Sequence, residues 1–169
     1  MKSLLSEQQN NNIVATHELF FFTEYYQFYI CDAATKGETD APDFWNNDSN
    51  KRRLAIGEGI LGVTVAKYDK IKVTLNVLEA KPLENKNADH SVEVSLRLDS
   101  GILKVRDCTA FDEILTLSLE KGTYRIRIDS FELQKVVNDE GDDYYVVQIW
   151  KSRFAKPKIL KEFKPVYIS

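Results

Sequence analysis

The sequence predicts an all-β fold: a two-sheet antiparallel β-sandwich, jelly-roll-like or Greek key, of about eight or nine strands with one short helix. Three observations predict it. Apolar and polar side chains alternate at period two in run after run, glycine-bearing turns separate the runs, and the strands are too many and too short for an open sheet. At 169 residues the chain fits one domain, and a compact domain of this size buries roughly 70% of its unfolded surface, so a core needs no staple.

The elements follow in chain order. Residues 1–16 are rich in Gln and Asn and are expected to form a disordered or loosely attached tail, leaving 17–169 as the sandwich domain. In "TEYYQFYI" (23–30), Tyr26, Phe28 and Ile30 share one parity and suit a core; Tyr25, Gln27 and Tyr29 share the other. The second set is expected to be the wall of a covered sheet, since aromatic residues are what strands pack with and Tyr hydroxyls can reach polar partners. In "DAPDFWNNDSNKRRLAIGEGILG" (40–62), Asp48 or Ser49 is expected to cap a short helix running through Leu54 and Ile56 to Gly57. Phe44 and Trp45 precede that helix as a lid or a partner contact.

Alternation then marks strands at Ile71–Val77, Val92–Leu98, Leu115–Leu119 and Tyr124–Ile128. The opposite parity, including Lys72, Thr74, Glu93, Arg125, Arg127 and Asp129, is expected to face water. Asp99-Ser100-Gly101, Lys121-Gly122 and "NDEGDD" (138–143) are each expected to close a hairpin with glycine supplying positive φ. A last strand is expected near Val166–Ile168.

The inventory of catalytic groups is thin. Cys31 and Cys108 are too few and too far apart for a disulfide framework or a zinc site. His17 and His90 lack the spacing or the carboxylate neighbours of a metal pair. Cys108 has Arg106 and Asp107 beside it but no evident base. "GEGILG" (57–62) spells Gly-x-Gly-x-x-Gly, yet it enters a strand, whereas the phosphate-binding form follows a strand and opens a helix. The expectation is a non-enzyme with no cofactor and no metal. The N-terminal stretch lacks the apolar run of a secretory signal, which predicts a cytoplasmic protein.

A formal net charge of -3 provides no bulk attraction to nucleic acid or to an anionic membrane. The total conceals two poles. Residues 129–143 carry six acids against Lys135, and residues 151–169 carry six bases against Glu162. Such blocks are either solvated or steer a partner of opposite sign. The expected partner surface is the acidic tip, Asp139, Glu140, Asp142 and Asp143, with Tyr144 beside it and with Asp43 and Trp45 of the preceding loop. Its carboxylates could mimic phosphates, and its aromatic rings are of the kind that anchor interfaces.

The order of "YYQFYICD", "APDFW", "LAIGEGILGVTV" and "LTLSLEKGTYRIRI" resembles the competence protein J family, inhibitors of the nuclease that takes up DNA in competent bacilli, and its immunity-protein-like relatives. The resemblance covers roughly residues 19–150 and rests on Tyr25, Gln27 and Phe28, on Trp45, on Ala55, Gly57 and Gly59, and on Lys121, Gly122 and Tyr124. It implies a small bacterial, non-catalytic β-protein that binds and silences a nuclease. The N-terminal segment and the Lys-rich C-terminal extension have no counterpart in that pattern. A competing reading is a small-molecule or carbohydrate-binding sandwich, with Trp45, Tyr25 and Tyr29 forming a stacking platform over an apolar pocket.

Overall fold

The structure, a computed structural model, describes residues 12–109 and 113–166. Its strands are β1 (Ile13–Phe22), β2 (Gln27–Asp32), β3 (Leu54–Gly57), β4 (Ile60–Thr64), β5 (Lys70–Leu78), β6 (His90–Leu98), β7 (Ile102–Asp107), β8 (Glu113–Ser118), β9 (Gly122–Phe131), β10 (Tyr144–Lys151) and β11 (Lys158–Lys161), with one helix, α1 (Asn47–Arg52). A six-stranded sheet has the order β1-β5-β10-β9-β6-β11, and a five-stranded sheet the order β3-β4-β2-β7-β8. The sandwich therefore has eleven described strands rather than eight or nine. Pairing is antiparallel except between β5 and β10, which run parallel.

Alternation decides which face each strand buries. Val73 and Leu75 of β5, Val147 and Ile149 of β10 and Ile126 of β9 meet Phe28 and Ile30 of β2, Leu61 of β4 and Leu103 of β7 in one dry cluster between the sheets. β1 already begins at Ile13, within the stretch read as a tail, because the alternation extends back through Ala15 to Ile13. Residues 1–11 lie outside the described part.

Two of the three expected hairpins are corners instead. β6 and β7 lie in different sheets, as do β8 and β9, so the turns at 99–101 and 119–121 pass the chain from one layer to the other. Turn chemistry dictates the reversal but not the sheet that receives the next strand. The third expectation survives as the β9–β10 pair. The helix also starts and stops elsewhere. Asn46 caps it, accepting from the Ser49 N–H at 2.9 Å, and the chain leaves at Arg53 with φ 54, so Leu54 and Ile56 belong to β3. At the C-terminus the strand is β11, on the edge beside β6. Val166 carries no strand, and residues 167–168 lie outside the described part.

The largest departure concerns the outer face of the six-stranded sheet. Glu93, Arg125, Arg127 and Asp129, expected to be wet, are buried. Cross-strand register places Glu93 opposite Arg127 and Ser95 opposite Arg125. Glu93 accepts from Arg127 at 2.8 and 2.9 Å and from Arg125 at 3.3 Å. Arg127 also donates to the carbonyls of Pro82 and Leu83, and Arg125 to those of Ala155 and Lys156 and to the Ser95 hydroxyl, while the Trp150 ring covers Arg127 at 5.5 Å. The segments around 82–83 and 155–156 thus fold over this face because two buried arginines need their carbonyls. Burial pushes the Glu93 carboxyl up, but the hydrogen bonds from Arg127 and Arg125 outweigh it and hold the group below the ordinary carboxylate range.

His90 ties the two layers at the other end. Its ring is buried; Nε2 faces the Arg52 carbonyl at 2.7 Å, and Nδ1 accepts the Phe163 N–H at 3.1 Å. An acceptor at Nδ1 and a carbonyl at Nε2 suit only the neutral ring protonated on Nε2, and burial keeps its pKa below the usual 6.5.

Replacing Glu93 by Gln removes the carboxylate that both buried guanidinium groups share. Equilibrium urea unfolding is expected to show a loss of about 3–5 kcal/mol. A loss below about 1 kcal/mol would show that the arginines are solvated rather than buried.

Candidate functional site: an acidic and aromatic rim

The connection between β1 and β2 spans residues 23–26 and includes a turn, closed by the Gln27 N–H on the Glu24 carbonyl at 3.4 Å, in which Tyr25 (φ 54) and Tyr26 (φ 60) are both left-handed. The alternation that suggested one continuous strand through Tyr26 is broken there. Tyr26 leaves the core parity and stands in solvent with Tyr25, whereas Phe28 and Ile30 keep the core positions expected of them. A second left-handed pair, Asn138 (φ 50) and Asp139 (φ 63), forms the reversal between Val137 and Glu140. The second closes a short antiparallel reversal, whereas the first passes the chain from one sheet to the other. Asn and Asp tolerate the left-handed conformation, but two tyrosines occupy it at a cost of roughly 1–2 kcal/mol each.

The segment 65–69 joins these two turns. Val65 N–H donates to the Tyr26 carbonyl and Thr23 N–H to that of Asp69, both at 2.9 Å. On the other side, the Tyr68 N–H donates to Asp139 at 3.0 Å, and the Tyr26 hydroxyl reaches the same carboxylate at 3.4 Å. Beneath lies a buried ion pair: Lys67 Nζ is 3.2 Å from Asp143 and also donates to the Gly141 carbonyl. The other Asp143 oxygen accepts from the Tyr145 hydroxyl at 2.6 Å, whose oxygen in turn accepts the Ala66 N–H at 2.8 Å. Burial, and then the adjacent Asp143 charge, hold the Tyr145 phenol well above its ordinary pKa.

The result is a rim on which Tyr25 (64% exposed), Tyr26 (44%) and Tyr68 (37%) stand together. Tyr68 meets Tyr25, Tyr26 and Phe22 edge to face at 5.6–6.0 Å. Glu140 and Asp142 are exposed on the connection that follows Asp139.

The expected partner residues divide accordingly. Glu140, Asp142 and Tyr144 are exposed, with Tyr144 stacked on Phe131 at 4.7 Å; Asp139 is half-buried as the link between the turns. Asp143 is an internal anchor, buried between Lys67 and the Tyr145 hydroxyl. Asp43 is exposed but sits with Trp45 in the loop over the five-stranded sheet. Trp45 is half-buried there: a Cβ on Gly62 would come within 2.7 Å of its ring, so the missing side chain is what lets the indole lie flat on β4. Tyr29 is buried against Phe44, and its hydroxyl accepts from Gln27 at 2.9 Å, which supplies the partner that amide needs. Trp45, Tyr25 and Tyr29 therefore form no shared platform.

Tyr26 and Tyr68 were missed in the sequence. Only the absence of Gly or Pro between two apolar runs of opposite sheets marks the first, and nothing local marks the second. A groove of about 820 Å³ runs beside the rim, lined by Phe20, Lys70, Lys72, Asp142 and Tyr144 among others. Its walls carry mixed charge rather than the apolar lining of a small-molecule pocket. Among the described residues no three His, Cys, Asp or Glu side chains gather as a metal site, and no helix is long and apolar enough to cross a membrane.

This is the architecture of a β-sandwich that displays a rim of turns on a packed core. No family model and no curated protein matches the chain in sequence. Two solved structures match it in fold. One is ComJ from Bacillus subtilis, the inhibitor of the DNA-degrading activity of NucA, at 14% identity and a TM-score of 0.63, over 83% of this chain and 97% of ComJ. The other is the crocagin biosynthetic protein J, at 24% identity and a TM-score of 0.54, over 83% of this chain and all of that one. The likeness to competence protein J that strand order suggested is thus a likeness of fold.

Tyr25→Asn relieves one left-handed aromatic position while losing an exposed ring contact. Thermal unfolding is expected to show a gain of up to about 1 kcal/mol. A destabilised Tyr25→Asn variant would show that the ring cluster outweighs the backbone strain.

Proposed function

We propose that this chain is a non-catalytic protein-binding module that inhibits a DNA-degrading nuclease, and that it meets its partner through the rim of Tyr25, Tyr26, Tyr68, Asp139, Glu140 and Asp142. One observation carries the reading: two exposed tyrosines are held in a strained left-handed turn by a second turn that presents carboxylates. Strain that stability alone would remove is retained where a surface is used. Exposed aromatic rings with few rotatable bonds suit the centre of an interface, and the adjoining carboxylates suit the basic groove with which a nuclease holds phosphates. The fold shared with ComJ supports an inhibitory role, and a cytoplasmic setting fits it. Asp43, Trp45 and Tyr144 lie off this rim and are assigned no contact.

The test is to mix the full chain with the nucleases encoded beside its gene at low salt and to follow DNA cleavage. Inhibition is expected. The Glu140→Gln/Asp142→Asn variant is expected to associate roughly tenfold more slowly, an effect that fades as salt rises. Tyr26→Ala is expected to speed dissociation. Neither complex nor inhibition with any of those nucleases would overturn the proposal.

A further inference from the structure

β1 is a ten-residue strand at the edge of the six-stranded sheet. Among the described residues, only β5 pairs with it. Its other edge offers a row of backbone N–H and C=O groups, the template for another strand. Between Ala15 and Phe22 that edge has no proline, no lysine and no bulge, the irregularity lying at Ile13–Ala15; Glu18 is its one acidic side chain, and Lys70 of β5 lies over the Phe20 ring at 5.8 Å. Its outward side chains include two of the more exposed apolar groups on the protein, Val14 at 62% and Phe20 at 63%. Its inward side chains Leu19 and Phe21 pack on the core yet stay only half-buried, as a sandwich open at that side leaves them.

We infer that the free edge of β1 pairs antiparallel with β1 of a second copy, joining two six-stranded sheets about a twofold axis at His17. The occupant follows from the strand's own sequence. Antiparallel neighbours on one face must have positions that sum to an even number, and the axis on His17 is the choice that uses the strand from residue 12 to 22. That register sets Val14 opposite Phe20 of the other copy and Thr16 opposite Glu18, each twice. On the inner face it sets Ala15 opposite Leu19, extending both cores. An axis one residue later, on Glu18, would oppose two carboxylates and place Thr16 against Phe20. The first register matches every outward pair except the terminal Asn12 and Phe22, whereas the second matches only Val14 with Phe22, so the first comes nearer to the self-complementarity a twofold contact requires.

The inference does not rest on the nuclease reading, although the edge borders the rim: Phe22 meets Tyr68, and Phe20 lines one groove with Asp142. A dimer would display two rims.

Sedimentation equilibrium on the full chain is the test. The 19.5 kDa chain is expected to show twice that mass at tens of micromolar (order of magnitude for a contact of modest area). Val14→Lys/Phe20→Lys is expected to weaken the dimer at least roughly tenfold, while circular dichroism stays native because both side chains are exposed. Thr16→Lys, which would face Glu18 of the other copy, is expected to tighten it. A wild-type chain that stays monomeric at hundreds of micromolar (the same scale) overturns the proposal. So does a dimer that the double lysine variant leaves intact, and a Thr16→Lys dimer that is weakened rejects the His17 register.

Discussion

The rim depends on one buried carboxylate. Asp143 lies at the entrance to β10, gripped by Lys67 and Tyr145, and these two residues sit on opposite sides of the junction between segment 65–69 and the β9–β10 reversal. Charge removed from water must be met in place, and removing one partner of a buried pair is costly even where the intact pair adds little net stability. That asymmetry makes Asp143 a fastener. With Lys67 fixed, the backbone from Val65 to Asp69 has one position from which to bond the Tyr26 carbonyl, Thr23 and Asp139. Two left-handed turns from distant parts of the chain therefore stand side by side.

A similar logic operates across the six-stranded sheet. Glu93 with Arg125 and Arg127 draws the carbonyls of 82–83 and 155–156 onto a face that would otherwise be open. His90 does the same on a smaller scale, joining the end of α1 to the backbone at Phe163. In each case a buried polar group recruits irregular chain because no strand is available to satisfy it. The core supplies most of the stability through apolar burial. These polar groups decide where the loops lie.

Much of the sandwich was legible in the sequence, because period-two alternation specifies a face whenever one side is dry. Ile71–Val77, Val92–Leu98 and Tyr124–Ile128 all fall inside observed strands. Alternation does not say what covers the other face, and so Arg127 looked wet although the Pro82 and Leu83 carbonyls and the Trp150 ring enclose it. Nor does a turn sequence say which sheet receives the next strand, which is why the corners at 99–101 and 119–121 looked like hairpins. The acidic tip was visible as a charge cluster. Its division into a buried Asp143, a bridging Asp139 and free Glu140 and Asp142 was not, since that depends on Lys67 and Tyr68, about seventy positions earlier. Tyr25 and Tyr26 were hidden by their residue type, for aromatic residues continue a strand pattern smoothly even where the backbone has turned.

The most direct test of the fastener is amide hydrogen exchange in Asp143→Asn. The substitution keeps the shape and removes the charge that holds Lys67. If the account is correct, exchange at Tyr68 and at residues 138–141 accelerates at least about tenfold, while the amides of β6 and β9 keep their wild-type protection. Unchanged exchange at Tyr68, or a uniform loss across both sheets, would contradict it.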